Sequence, residues 1–354
     1  MAKLWRRPNS NEPKEPAALE VDLPTLRIDK PSLVFLNGFF VLDNNFDWVK
    51  ASLQKMEELM ATRPAGAPPV DVYSWTHRGL KDAFNVAAYC MRPGSRSSPI
   101  VDGLAAGLVM PLVANDFKIG ADGKATGTPL PLDEAKKNLR NLTFFGYSAG
   151  CITAQEIFNA SLKRMKQVGY TEKDARAALN EVVYIGVGVV SRPGREKDRF
   201  TTLFLEATND KIVRFKNRLW TPLRVMFQRF VHGLKINRLG DHAAIITAAV
   251  PKKHWEVKII DGKTVREKVR NLLPNASAWY RTYHELPRYV TEDEALSPFA
   301  KMVQYGLTNA VGRTSLLDPM ALLEPPAGTD QTVAAAYHDK VSKAYVKPKK
   351  PVVA

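Results

Sequence analysis

The chain has 354 residues, 45% of them hydrophobic, and a formal net charge of +15. Its length suffices for one large domain or two ordinary ones, and its apolar content supplies a core, which excludes a wholly disordered protein. No apolar run reaches the ~18 residues that span a bilayer. The two cysteines, without a secretory segment, favour a reduced protein in the cytoplasm. Neither zinc-ligand spacing nor a phosphate-binding glycine loop is present, so we expect no metal and no cofactor.

The predicted elements alternate between strands and helices along most of the chain. Short apolar runs that end at turn residues predict strands, and apolar residues at helical spacing predict helices. The expected strands are at 33–36, 70–75, 141–145, 181–190, 199–207 and 234–240. The expected helices are at 46–63, 132–140, 151–169 and 210–230.

These strands are apolar on both faces and separated by helices, which indicates an α/β fold with a mostly parallel sheet covered on both sides. We therefore expect a core over 31–250, interrupted at 77–131 by a cap- or lid-like insertion. The remaining predicted parts are an N-terminal extension (1–30), a C-terminal hairpin and helical extension (251–340) and a disordered basic tail (341–354).

The stretch Gly-Tyr-Ser-Ala-Gly places Ser148 where the strand at 141–145 turns into a helix. A serine at so tight a turn adopts a strained backbone, and glycines two residues before and after it avoid a clash. The turn exposes the hydroxyl, and the helix N-terminus offers N–H groups to a developing negative charge. The alternative is a simple strand-to-helix turn that happens to contain a serine.

Two further chemical groups follow later predicted strands. Asp210 comes after the strand at 199–207, and His242 comes after the strand at 234–240. Functional groups gather at the carboxyl ends of parallel strands, so we expect Ser148, Asp210 and His242 to meet at one edge of the sheet.

At these residues the sequence resembles the α/β-hydrolase family. "TFFGYSAGCITA" is similar to its nucleophile elbow, "LEATNDKIV" to its acid loop and "LGDHAAI" to its histidine loop. The resemblance covers roughly residues 30–250. It implies a Ser148 nucleophile, a His242 base and an Asp210 that orients the imidazole.

The resemblance also implies an oxyanion hole. The backbone N–H of Ala149 would form one half, and the N–H of Phe39, in the loop after the first strand, the other. Asn37-Gly38 stands where the family often has His-Gly. Tyr147, Phe40 and His77 are expected to contact substrate.

Other residues compete for two of these roles. His254 and His284 also follow the acid, but His254 falls inside a predicted hairpin and His284 in a predicted tyrosine-rich helix. Asp241 is a weaker candidate than Asp210 for the residue that orients the base, because a direct neighbour of His242 in sequence is poorly placed to orient its ring.

The function predicted is hydrolysis of a carboxylic ester, or a thioester or lipid ester, through an acyl-enzyme. The rival is a catalytically silent scaffold that docks to an acidic partner. The basic charge also suits an anionic membrane, to which the helix at 211–230 could bind instead of packing on the sheet. Residues 99–114 fit either an apolar lid or a core helix. We predict no nucleic-acid partner and no particular oligomeric state.

Overall fold

A computed structural model describes the protein over most of its length. The described residues are 4–6, 19–21, 23, 26–38, 46–64, 66–76, 99–189, 199–210, 233–250, 255–260, 263–268, 286–290, 294 and 297–345. The strands are β1 (Leu4–Arg6), β2 (Leu19–Val21), β3 (Ser32–Leu36), β4 (Asp71–Trp75), β5 (Ala114–Ile119), β6 (Ala125–Pro129), β7 (Leu142–Tyr147), β8 (Val183–Val187), β9 (Thr201–Ala207), β10 (Lys235–Arg238), β11 (Ala243–Ala248), β12 (Trp255–Ile260) and β13 (Lys263–Lys268). The helices are α1 (Phe46–Ala61), α2 (Pro99–Leu104), α3 (Leu132–Leu139), α4 (Gly150–Gln167), α5 (Glu172–Leu179), α6 (Pro287–Val290), α7 (Ala300–Ala310) and α8 (Gln331–Ala344).

Nine of these strands form one central sheet in the order β10-β11-β9-β8-β7-β3-β4-β1-β2. The six strands from β11 to β4 are parallel to their neighbours, whereas β10 and β1 run antiparallel to the strands beside them. The predicted α/β class with a mostly parallel sheet is confirmed.

The central strands are buried on both faces, as their apolar sequences predict. β3, β8 and β9 are buried along their whole length. Consecutive side chains of β7 point to opposite faces, so Phe144 stacks on Phe200 in one layer and Phe145 packs against Phe35 in the other. Helices α2 and α4 cover the first face, and α1 and α7 cover the second.

Residues 99–112 form a continuous helical segment that belongs to the core. α2 continues as a π-helix over Ala105–Val109 and a 3₁₀ turn over Met110–Leu112. Val101, Leu104 and Leu108 are buried in the layer shared with α4. Of the two alternatives for this segment, the structure has the core helix. A hairpin of β5 and β6 follows it, and the rest of the predicted insertion, 77–98, lies outside the described residues.

The described residues from Leu286 onward contribute to the same core rather than forming an extension of it. A Cβ built on Gly306 of α7 would lie 3.3 Å from Ile185 and 3.4 Å from Leu203, so this helix lies directly on β8 and β9. The Arg313 guanidinium donates to the carbonyl of Glu181. The predicted hairpin near 261–262 is confirmed as β12 and β13.

Both ends of the chain differ from the sequence prediction. β1 pairs with β4 and β2, so part of the predicted N-terminal extension joins the sheet. α8 reaches Ala344, and Tyr345 forms a parallel bridge with Ile236, so the predicted disordered tail cannot begin at 341. Residues 346–354 and the basic segment 211–230 lie outside the described residues. Among the helices described, none combines the length and apolar character needed to cross a membrane.

Candidate active site

Ser148 occupies a strained turn between β7 and α4. Its φ is 55°, and within the described chain the only other non-glycine residue with a positive φ is Asp116. The strand ends at Tyr147, and the Ser148 N–H donates to the carbonyl of Val187 at the end of β8. α4 begins two residues later. A non-glycine residue in this conformation costs of order 1–3 kcal/mol, which the surrounding structure must offset. The turn therefore has the strained geometry predicted from the Gly-Tyr-Ser-Ala-Gly stretch.

Glycines allow the backbone segments around this turn to approach each other. A Cβ on Gly150 would lie 2.6 Å from the carbonyl carbon of Leu36 and closer still to its oxygen. A Cβ on Gly146 would lie 2.9 Å from the Tyr184 ring and 3.2 Å from the amide nitrogen of Cys151. A side chain at position 146 would thus collide with the start of α4, as predicted, whereas a side chain at position 150 would collide with the end of β3.

The loop after β3 lies directly against the serine. A Cβ on Gly38 would be 2.9 Å from the Cβ of Ser148. This juxtaposition brings the backbone beyond β3 and the first N–H groups of α4 to the same side chain. Ala149, whose N–H is the predicted first oxyanion donor, is buried at the N-cap of α4. Phe39, the predicted second donor, and Phe40 lie outside the described residues.

Asp210 lies at the same edge of the sheet, in the turn after β9. Its N–H donates to the carbonyl of Ala207, and its side chain is fully buried. The Tyr289 hydroxyl donates to Asp210 Oδ2 at 2.8 Å. β9 is two strands from β7, a lateral separation of about 10 Å. An imidazole from a third segment can bridge that separation.

Asn209 holds the chain segment that follows β11 next to Asp210. Its Nδ2 donates to the Val250 carbonyl at 2.7 Å, and its Oδ1 accepts from the Val250 N–H at 2.9 Å. These two bonds use the amide as a backbone peptide would. The segment after β11 therefore begins next to Asp210.

His242 lies at the opposite edge of the sheet. Its carbonyl accepts from the Thr202 N–H, and Ala243 pairs with Thr202 near the start of β9. That row continues through Tyr184 to Phe144, so Ser148 is four residues along the strands and three strands across from it, roughly 20 Å. A general base must come within hydrogen-bonding reach of the nucleophile. The assignment of His242 as the base is therefore corrected.

The reason for this error is a strand, β11, that the sequence analysis did not predict, since its last expected core strand ends at residue 240. Residues 239–242 form the turn of an antiparallel hairpin between β10 and β11, with the Leu239 N–H donating to the Ala243 carbonyl. β11 then runs parallel to β9. Residues between β10 and β11 therefore lie at the amino edge, whereas the chain before Lys235 and the chain after Ala248 lie at the carboxyl edge.

The other histidines that the sequence offered, His77, His254 and His284, lie outside the described residues. In the described part of the carboxyl edge there is no histidine after β3, β4, β7, β8, β9 or β11. His254 nevertheless follows Val250 by four residues in sequence, and His284 precedes Leu286 by two.

Two buried side chains, the Cys151 thiol and the Tyr184 phenol, lie against the turn that contains Ser148. Cys151 Sγ lies 3.4 Å from the Gly146 carbonyl oxygen, to which its thiol donates. The Tyr184 ring fills the space left by Gly146 and Gly186. Burial raises the pKa of Tyr184 well above its usual range, with the nearby Cys151 as the next cause, so the phenol stays neutral.

Comparison with known proteins leaves the chain unassigned: no protein-family model matches it, and no curated protein resembles it at the level taken as significant. Among the described residues no group of three or more His, Cys, Asp or Glu side chains is arranged to hold a metal ion. The described groups of this edge are a strained serine, a buried carboxylate and the N–H of Ala149 at the start of α4.

The sequence analysis missed two residues of this site, Tyr289 and Asn209. Asn209 is adjacent to the predicted acid, so its position was visible, but its bond to Val250 depends on β11. Tyr289 is separated from Asp210 by 79 positions and belongs to a part of the chain to which no function was given. No local pattern links it to the acid.

Proposed function

We propose that the protein is a serine hydrolase of the α/β-hydrolase fold that cleaves a carboxylic ester through an acyl-enzyme. The observation that carries this proposal is Ser148 with its φ of 55° at a strand-to-helix turn, against which Gly38 packs. Strain of this kind needs compensation from its surroundings, and its recurrent use is to expose a nucleophile.

The arrangement of the sheet supports the same proposal. In that fold the second oxyanion donor comes from the loop after the third strand, and the catalytic residues follow in the order serine, acid, histidine. Here β3 is the third strand of the chain, and the loop after it lies beside Ser148. The acid, Asp210, follows the second strand after the nucleophile strand.

In the proposed reaction the Ser148 oxygen attacks the ester carbonyl carbon while its proton passes to an imidazole. The tetrahedral oxyanion is stabilised by the N–H of Ala149 and by an N–H from the loop after Gly38. The imidazolium then protonates the leaving alcohol, which leaves an acyl-serine. Water, deprotonated by the same imidazole, releases the acid product. Asp210 orients the ring and stabilises its charged form.

We assign the base to His254. Val250 is fastened beside Asp210 by Asn209, and four residues of chain span at most about 15 Å. His254 is the first histidine after β11, whose last residues lie at the carboxyl edge. His284 is the second choice, because Leu286 is buried close to Tyr289 in the same layer as α7.

A fluorophosphonate probe tests the proposal, because it phosphorylates a serine only when that serine is activated. Wild-type protein should be labelled on the peptide that contains Ser148, and Ser148→Ala should abolish labelling. Ser161→Ala is the matched control, since Ser161 is a buried serine on α4. A folded wild type that stays unlabelled, or labelling that survives in Ser148→Ala, contradicts the proposal.

The second candidate is a catalytically silent protein of the same fold. The observation that favours it is the lack of a histidine at the described part of the carboxyl edge. In that case Ser148 has no base, and its hydroxyl stays protonated at neutral pH. Absence of labelling together with no hydrolysis of p-nitrophenyl acetate, butyrate or octanoate would decide for it.

A further inference from the structure

We infer that Tyr289 is a positioning residue for Asp210, holding one carboxylate oxygen so that the other can receive the imidazole of the base. This inference rests on the proposed function. It starts from the 2.8 Å hydrogen bond that the Tyr289 hydroxyl donates to Asp210 Oδ2. Both side chains are fully buried, so water does not compete for this bond. A carboxylate can accept about four hydrogen bonds, and one from tyrosine leaves capacity for another donor.

The phenol is held in place by its neighbours. Its ring stacks on Phe299 with centroids 5.5 Å apart and an angle of 14° between the rings. The Tyr289 N–H donates to the Leu286 carbonyl, which closes the turn that begins α6. Leu286 and Phe299 are themselves buried. The position of the hydroxyl is thus fixed by a packed wall and not by Asp210 alone.

The direction of the hydrogen bonds makes Tyr289 a donor to the acid. The backbone N–H of Ala207 donates to the tyrosine oxygen at 3.3 Å, and the tyrosine O–H donates onward to Asp210. A donor that itself accepts a hydrogen bond is a stronger donor. Burial, followed by the charge of Asp210, raises the pKa of Tyr289 well above its usual range, so the proton stays on the phenol.

This donor sets how strongly Asp210 stabilises the charged form of the base. A hydrogen bond to the carboxylate withdraws part of its negative charge, and an imidazolium beside it is then stabilised less. Tyr289 therefore keeps the pKa of the base lower than a lone aspartate would, which leaves more neutral imidazole at pH 7.

The test is the pH dependence of fluorophosphonate labelling at Ser148 in the full chain between pH 5 and 9. Tyr289→Phe should move the acid limb of the profile upward by about half a pH unit or more and lower the rate constant at pH 7 by up to about threefold per half unit of that shift. Tyr289→3,5-difluorotyrosine keeps the ring and strengthens the donor, so it should move that limb downward. Opposite shifts in the two variants distinguish donor strength from a structural effect, and the second variant keeps the test valid if the first does not fold.

Tyr170→Phe is the matched control, because its hydroxyl donates to the carbonyls of Val113 and Leu130, away from the sheet edge. Its profile should match that of the wild type. If wild type and both Tyr289 variants have the same profile, the role of Tyr289 is refuted while the serine hydrolase stands. If wild type is not labelled at Ser148 at all, the proposed function fails, and this role fails with it.

Discussion

Gly150 offers the sharpest test of how the turn at Ser148 is built. An alanine Cβ at this position would lie 2.6 Å from the carbonyl carbon of Leu36, whereas non-bonded carbons normally approach to about 3.5 Å. The start of α4 would therefore have to move by about 1 Å away from β3. Both partners are backbone, so no side chain can rotate aside. Overpacking of this kind costs roughly 3 kcal/mol or more in the free energy of unfolding.

The same displacement should reduce the reactivity of the serine. A 1 Å shift of a catalytic group can lower a rate by about 10²-fold. Because α4 carries Ala149 at its start, Gly150→Ala should lower the labelling rate by about that factor even where the protein remains folded. Gly103→Ala is the control: a Cβ there meets no described atom within 4 Å, and the change should stabilise α2 by about 0.5–1 kcal/mol.

Urea denaturation and labelling kinetics are measured on both variants. If Gly150→Ala unfolds at the wild-type midpoint and is labelled at the wild-type rate, the close approach of α4 to β3 does not exist as described. Loss of stability with unchanged reactivity would instead refute the link between that approach and the position of Ser148.

Two further predictions concern the base and a buried acid. His254→Ala should reduce labelling at Ser148 by ~10³-fold or more, whereas His242→Ala, which lies at the other edge of the sheet, should be labelled like the wild type; the reverse result would overturn the topology. Glu156 in α4 is fully buried, and within the part of the chain that the structure describes neither of its oxygens has a hydrogen-bond partner; burial, aided by Asp102, raises its pKa to about 8. Its folded-state pKa is above the unfolded one, so stability is greatest below about pH 4.5 and falls, by about 5 kcal/mol at most, as pH rises to about 8. Glu156→Gln should remove that decline in urea titrations across pH 5–9, whereas Glu58→Gln, at an exposed position, should keep it; equal slopes for wild type and Glu156→Gln would contradict the prediction.

The central strands could be predicted because their amino-acid composition indicates that they are buried. β3, β8 and β9 each contain at least three consecutive apolar residues, which is typical of a strand covered on both faces. The Ser148 turn could be predicted for a related reason. Its two glycines are a local consequence of backbone approach, and they stand two residues either side of the serine.

β11 could not be recognised as easily, because its sequence begins with two alanines. Ala243 and Ala244 suit a helix start, and the β-branched residues that indicate a strand come only at Ile245, Ile246 and Thr247. The error moved His242 from one edge of the sheet to the other. A single missed strand thus changes the edge at which the predicted base lies, whereas Ser148 and Asp210 stay at one edge of the sheet.

The contacts around Asp210 were beyond prediction for a different reason. Tyr289 reaches the acid only because α6 and α7 fold back over β8 and β9, and such long-range packing leaves no periodic pattern in the sequence. Asn209 is similar, since its partner Val250 is 41 residues away. Local patterns identify which residues can act, but the positions of these partners are set by tertiary structure.

Asn37 illustrates how the structure resolves a departure from the family pattern. Its side-chain Nδ2 donates to Ser74 Oγ at 2.7 Å and to the Trp75 carbonyl at 2.9 Å, so the amide fastens the end of β3 to the end of β4. Both partners are buried, and a side chain held by them cannot also stabilise an oxyanion beside Ser148. The second donor of the proposed hole must therefore be a backbone N–H. Gly38 packs on the Ser148 Cβ at a distance that excludes a side chain, which is what a backbone donor at this loop requires.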